Sequence, residues 1–421
     1  MFVYPYLKSH GYLLYLDMVH PYPPLLTIIL SIWFSIFGYS VPALQGITWL
    51  ILAINDILIY LILLSITKNR IIGLLGLSSY IALQPFLEGN MLWFDIAVTI
   101  PILLGTLFAL KVKPNSRIFL AALMFAAAAL IKQTGGLFYL GFLAWLLIQK
   151  VKRNDFLIAL LTPLILLIPL LFRLLQEGAV GGFISWVVYY PSTFWTSFPG
   201  YVQMNLNKGQ MLLMGFLILP LFFFLYKIKK VKEEAYLLLL FLIIGLISIY
   251  PRFSYFHLQT ALPFFALLYP IAIHKISLFK SIWFWLLGLA VCMIFIQRPL
   301  ILREWGAQAR FAENSEYLIA EKIKNQVPEG ETIYLQGLYA SQYVFSDLLP
   351  GKPWLDNFGW YYEAPGVQEW TLERWQQDPP KHIFMRGPYE YEPKFIKSWI
   401  LENYSETGKL MDGIVHLEYK K

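Results

Sequence analysis

Four short polar segments interrupt an otherwise apolar chain, and each carries groups able to move protons or hold anions. The first, Tyr15-Leu-Asp-Met-Val-His-Pro-Tyr-Pro-Pro-Leu-Leu26, sets Asp17 and His20 three residues apart before an apolar run. The second runs from Glu88 to Asp95, and the third is Lys132-Gln-Thr-Gly-Gly136. The fourth, Tyr250-Pro-Arg-Phe-Ser-Tyr-Phe-His257, supplies Arg252 and an imidazole. Carboxylates such as Asp17 and Asp95 can accept the proton of an attacking hydroxyl or amine. Lys132, Arg252 and His257 can stabilise charge gathering on a departing phosphate. Asp17 and His20 could share a divalent metal ion, because imidazole is a common ligand for such ions. Together these groups suit transfer from a lipid phosphate. Each also has a plainer role: Asp17 capping a turn, His20 hydrogen-bonding at an interface, Asp95 capping its own helix, and Lys132 and Arg252 snorkelling to headgroups.

The segments must be positioned by helices in a membrane. The 421 residues are 58% hydrophobic and only 14% charged, with a mean hydropathy of +0.58. A soluble chain carries roughly 25% charged residues. Ten apolar runs are long enough, or nearly so, to span: 43–66, 71–87, 94–110, 117–131, 136–149, 156–173, 210–226, 235–250, 257–273 and 281–297. Of the 19 Lys and Arg in residues 1–297, 14 fall in alternate connections around 68–70, 111–117, 150–153, 227–232 and 275–280. The positive-inside rule places those connections in the cytoplasm and the four polar segments outside. With ten spans both chain ends share the outer face. Pro23–Gly38 breaks this alternation if counted as a span, so it is predicted to lie along the outer membrane surface, with Pro23 and Pro24 in its first turn.

The expected fold class is a polytopic α-helical membrane protein with a C-terminal soluble α/β domain. The expected divisions are 1–42, an outer first-loop segment; 43–297, the transmembrane domain; and 298–421, an outer α/β domain. Residues 298–421 carry 14 basic and 18 acidic groups, whereas 1–297 has a net charge of +11. The basic balance therefore reflects topology rather than nucleic-acid binding. Helices are expected at 313–325, 372–377 and 393–403, and strands at 332–336, 382–385, 406–411 and 414–419. The long connection 174–209, rich in Trp and Tyr, is expected either to serve function or to pack on the tail. Asp56, in mid-span, is expected to make a buried interhelix hydrogen bond. Cys292, the one cysteine, can form no internal disulfide. Met1–Tyr22 lacks the pattern of a cleavable signal peptide.

The order Gly11-Tyr-Leu-Leu-Tyr-Leu-Asp17, then His20-Pro-Tyr-Pro-Pro-Leu25, then a short helix ending Phe37-Gly38, resembles the polyprenyl-phosphate-sugar-dependent GT-C glycosyltransferases. It is most similar to the branch holding protein O-mannosyltransferases and lipid A aminoarabinose transferases. The resemblance extends over nearly the whole chain through short motifs. It implies sugar transfer from a polyprenyl phosphate to a lipid, glycan or protein acceptor at the outer face of the plasma membrane. It implies that Asp95 is the second-loop acid and that Lys132, Arg252 and His257 meet the donor phosphate. Members usually begin with a further membrane helix ending in an acidic pair that includes the catalytic base, so the resemblance implies either that this helix, with the principal acid, is missing from this sequence or that Asp17 or Asp95 does the work alone. A flippase for lipid-linked glycans or a non-catalytic membrane scaffold would share the same hydropathy. A transporter is expected to show internal repeats, and no convincing repeat is found.

Overall fold

The computed structural model describes residues 1–110, 115–226, 233–274, 311–387 and 394–420, with scattered positions between 283 and 302. The basic connections 111–114, 227–232 and 275–280, and most of the run 281–297 including Cys292, lie outside the described residues. The chain divides into two compact units. One comprises Met1–Leu44, Leu171–Tyr201 and Phe311–Lys421, and the other Gln45–Leu170 and Val202–Arg310.

The second unit is helical, and the apolar runs between 43 and 273 are helical throughout most of their length. Val41–Thr67 and Arg153–Gln176 are each long and apolar enough to cross a membrane by length and composition; the other apolar helices run 10–17 residues. Polar side chains inside these helices satisfy themselves locally. Ser79 donates to the Leu75 carbonyl and Thr106 to that of Ile102, both at 2.8 Å, which avoids an unpaired hydroxyl in an apolar setting. The interhelix bond expected of Asp56 is made instead by its neighbour Asn55. Its Nδ2 donates to Thr99 Oγ1 at 2.6 Å. Asp56 itself is only half-buried.

The first unit joins three distant stretches of chain. Helix Leu25–Phe37 starts just after Pro23 and Pro24, with Pro24 at the N-cap, and stops at Gly38, whose φ is +77°. The prolines thus precede the helix rather than fill its first turn. Leu26, Thr27, Leu30 and Phe34 are buried, while Ile29, Ile32 and Ile36 on the other face are bare. A bare apolar face on a short helix suits a membrane surface.

The tail is an α/β fold. Asn314–Lys324 opens with a capping box between Glu313 and Glu316, which satisfies two otherwise orphaned N–H groups. Strands β1 (Ile333–Gln336), β2 (His382–Met385), β3 (Tyr404–Lys409) and β4 (Val415–Tyr419) form one sheet in the order β1-β2-β4-β3. β1 and β2 are parallel, joined by a crossover containing helices Ser341–Ser346, Gly359–Tyr362 and Val367–Gln377. The β2–β4 and β4–β3 pairs are antiparallel. Ile319 and Ile323 from the first tail helix, Ile396 and Ile400 from Lys394–Asn403, and Trp375 are buried with Ile333, Ile383 and Phe384 from the strands.

The long connection packs on the tail. Trp186 and Trp195 close on Tyr361 with ring centroids 6.1 and 5.5 Å away, and Tyr201 meets Trp360 at 5.3 Å. Tyr190 Oη donates to the Pro365 carbonyl. Aromatic contacts of this kind add to simple burial.

Candidate functional site

In the second unit three of the four polar segments converge. Asp95 lies in the short helix Phe94–Ala97, entered from the extended residue Trp93. Lys132 follows directly on helix Asn115–Ile131. The turn after it is tight: Gly135 N–H bonds the Lys132 carbonyl at 2.8 Å. A Cβ on Gly135 would stand 2.3 Å from the Ala128 carbonyl oxygen. His257 sits in the 3-10 turn Tyr255–Thr260. That turn is pinned by Gln259, whose Nε2 donates to the carbonyls of Gln84 and Leu87. It is pinned again by Phe256, stacked on Trp93 at 4.6 Å.

These supports bring three ionisable groups together. Lys132 Nζ lies 2.5 Å from Asp95 Oδ1, and His257 Nδ1 lies 3.3 Å from the same oxygen and 3.4 Å from Nζ. The Asp95 and Lys132 side chains are 3% and 7% exposed, whereas that of His257 is 18% exposed. His257 is therefore the most exposed member, and Asp95–Lys132 forms a covered ion pair beside it. The plainer roles for these residues do not hold. The Asp95 carboxylate goes to Lys132 rather than to its own helix end, and Lys132 is buried rather than extended to a surface. Glu88, with φ +56°, accepts from Ser254 Oγ at 3.3 Å. Arg252 is held through its backbone: Gln203 N–H donates to Pro251, and Phe253 N–H to Gln203.

The fourth segment belongs to the first unit, where the tail holds it. Val19 N–H donates to the Trp354 carbonyl, and Trp354 N–H donates to that of Asp17. Asp17 Oδ2 receives Lys352 Nζ at 3.0 Å and the Leu13 N–H at 3.0 Å. Lys352 also lies over the Tyr12 ring. Tyr15 adopts φ +71°, a left-handed conformation that is costly for a bulky residue. Close packing on Gly182 accompanies it: a Cβ there would stand 2.3 Å from the Tyr15 carbonyl oxygen.

His20 is not arranged as a metal ligand. It is fully buried, with Nδ1 against the Tyr22 carbonyl at 2.6 Å and Nε2 against Thr27 Oγ1 at 2.8 Å. A carbonyl only accepts, so Nδ1 carries the proton and the Nε2 lone pair faces the Thr27 hydroxyl. Burial pushes the imidazole down to about 4, despite the opposing hydrogen bond to Tyr22, so it is neutral. The shared ion expected at Asp17 and His20 is thus replaced by a lysine on one side and a hydroxyl on the other. Among the described residues, the metal-ligating side chains that gather are His382, His416 and Glu418 in the tail.

The fold defines the class. The chain has the GT-C fold that the Gly11–Gly38 motifs implied. No family model and no curated protein matches the sequence; the likeness lies in structure. ArnT from Cupriavidus metallidurans, an aminoarabinose transferase, in its apo state superposes with a TM-score of 0.65 at 10% identity. That match covers 99% of this chain and 91% of ArnT. ArnT bound to undecaprenyl phosphate gives 0.64 at 10% identity, over 99% and 92%. The archaeal oligosaccharyltransferase AglB from Archaeoglobus fulgidus, in complex with an inhibitory peptide and a dolichol-phosphate, gives 0.51 at 12% identity, over 91% and 64%.

Proposed function

We propose that this protein is an integral membrane glycosyltransferase that moves a sugar from a polyprenyl-phosphate donor to a lipid, glycan or protein acceptor at the outer face of the plasma membrane. The observation that carries the reading is the Asp95–Lys132–His257 cluster, set in a fold whose solved examples hold undecaprenyl phosphate and dolichol-phosphate. In this reading ten helices span the membrane and the tail is extracytoplasmic. Asp17, its loop and the tail share one compact unit, which supports their lying on one side of the membrane.

The acceptor oxygen or nitrogen attacks the anomeric carbon as the bond from that carbon to the phosphate oxygen breaks. A carboxylate takes the acceptor's proton, the role that the first-loop motif implies for Asp17, and the polyprenyl phosphate leaves with the electron pair. His257 and Arg252 face the phosphate. Lys132 adds positive potential from behind, and Asp95 acts through Lys132 and His257 by fixing their position. Dipoles and cations placed in advance need no reorganisation as the charge develops.

The test uses membranes holding the full-length chain and a polyprenyl-phosphate-linked labelled sugar, with release of polyprenyl phosphate and label on the acceptor both measured. His257→Gln is expected to lower transfer about 10²–10³-fold, the usual effect of losing one such donor. Passage of the lipid across the bilayer without cleavage would point to a flippase instead.

A further inference from the structure

We infer that the tail sheet carries a binding site for one divalent transition-metal ion of the Zn²⁺ type, made by His382 Nδ1, His416 Nε2 and Glu418 Oε1. The placement follows from strand geometry. His382 on β2 stands opposite Glu418 on β4, and Phe384 stands opposite His416. Side chains two apart share a sheet face, so all three ligands emerge together. Their atoms lie 3.0 Å (His382 to His416), 3.8 Å (His382 to Glu418) and 3.9 Å (His416 to Glu418) apart. Tetrahedral bonds of about 2.0–2.1 Å require ligand atoms about 3.3 Å from one another, and the observed separations bracket that value.

The groups behind the ligands fit as well. Ligating imidazoles ordinarily donate their second nitrogen to a carboxylate or another oxygen. His382 Nε2 meets Glu331 Oε2 at 2.6 Å. A carboxylate only accepts, so Nε2 carries the proton and Nδ1 presents its lone pair. His416 Nδ1 meets Thr407 Oγ1 at 3.0 Å, and that hydroxyl can pass its own hydrogen to the His416 carbonyl at 3.4 Å. When His416 donates from Nδ1 to Thr407, its Nε2 lone pair also faces inward. Without an ion the other neutral tautomer of His416 donates from Nε2 to His382 Nδ1 at 3.0 Å. Binding exchanges that hydrogen bond for the metal by moving the His416 proton from Nε2 to Nδ1, so neither imidazole loses a proton overall. Phe384 stacks on the His416 ring at 4.5 Å and fixes its plane. The two histidines are buried, while the Glu418 side chain is 46% exposed. The ion is therefore reached from solvent, with a fourth position for water, and it ties β2 to β4.

The test takes the full-length chain in detergent, stripped with a chelator and titrated with Zn²⁺ against a chromophoric competitor. Thermal unfolding is followed in parallel. Wild type is expected to bind Zn²⁺ in equimolar amount and to unfold at higher temperature when loaded. Glu418→Gln alters an exposed side chain, so its metal-free midpoint should match wild type while Zn²⁺ affinity falls at least about tenfold. Glu331→Gln should weaken binding by about 10–100-fold through His382 alone. Equal affinity in wild type and Glu418→Gln, or no Zn²⁺-dependent rise in the wild-type midpoint, overturns the site.

Discussion

Removing one partner of the Asp95–Lys132 pair should be far more damaging than removing both. The charges are 2.5 Å apart and almost fully covered. At an effective dielectric of about 20, their attraction is about 7 kcal/mol before desolvation is counted. Burial offsets much of that, so the intact pair contributes little net stability. Asp95→Asn leaves the Lys132 charge buried without its carboxylate, and Lys132→Met leaves Asp95 with only the His257 contact at 3.3 Å. Breaking a buried pair in this way costs about 3–5 kcal/mol. Lys132→Met and Asp95→Asn should each lower the unfolding free energy of the detergent-solubilised protein by that order. The double variant removes both charges and should recover most of the loss. Sugar transfer should follow a different pattern: low in both single variants and still low in the double, because positive potential behind His257 is gone. Stability and transfer are measured on the same preparations. If both single variants unfold within about 0.5 kcal/mol of wild type, the ordinary range of surface changes, the covered ion pair is not what organises the cluster. A double variant as unstable as its two parents combined would refute the reasoning equally.

Three further outcomes can be checked. His20 is held near 4 against an ordinary 6.5, so the unfolded chain takes up its proton first as pH falls. The His20 contribution is therefore intact above about pH 6.5 and is lost progressively down to about pH 4, amounting to about 3 kcal/mol. Unfolding measured across that window should be flatter for His20→Gln, and equal slopes would refute the assignment. Gly182→Ala places a methyl 2.3 Å from the Tyr15 carbonyl oxygen and should cost about 1–3 kcal/mol. Gly181→Ala meets nothing within 4 Å and should be close to neutral by the same denaturation assay. Asp17→Asn loses a pair whose Lys352 side chain is 46% exposed, so stability should fall by only about 0.2–1 kcal/mol. A large loss of transfer in that folded variant would place Asp17 in the chemistry, and full turnover would remove it.

Much of this architecture can be read from residue order because local physics dominates it. Strand β2 falls on the expected His382–Met385, bounded by Pro379–Pro380 before it and Gly387-Pro388 after it. The first tail helix starts where Glu313 and Glu316 form their capping box. Charge alternation between loops likewise marked 88–95, 132–135 and 252–257 as related, and Asp95, Lys132 and His257 do meet. What escapes the sequence is partnership at long range. Nothing around Lys352 marks it as the cation for Asp17, 335 residues away. Nothing near His20 shows that Thr27 takes its second nitrogen. Helix Ser341–Ser346 is set by tertiary burial of Tyr343 and Val344 and carries no strong pattern of its own. His382 and the pair His416, Glu418 offered a faint signal, alternation within two strands, but their pairing depends on β4 lying beside β2.

The union of the first loop with the tail sets a timetable for biosynthesis. Tyr6 donates to Asp347 across 341 positions, and Trp354 hydrogen-bonds the backbone at Asp17 and Val19. The loop's tail partners do not exist until translation has passed Trp354. At about 5–20 residues per second, the wait is on the order of tens of seconds. During that interval Tyr4 and Tyr6, both destined for the interior, lack their tail partners Trp354 and Asp347. Quality control would meet this loop without its tail partners, and a nonsense codon anywhere before Trp354 would leave it so permanently.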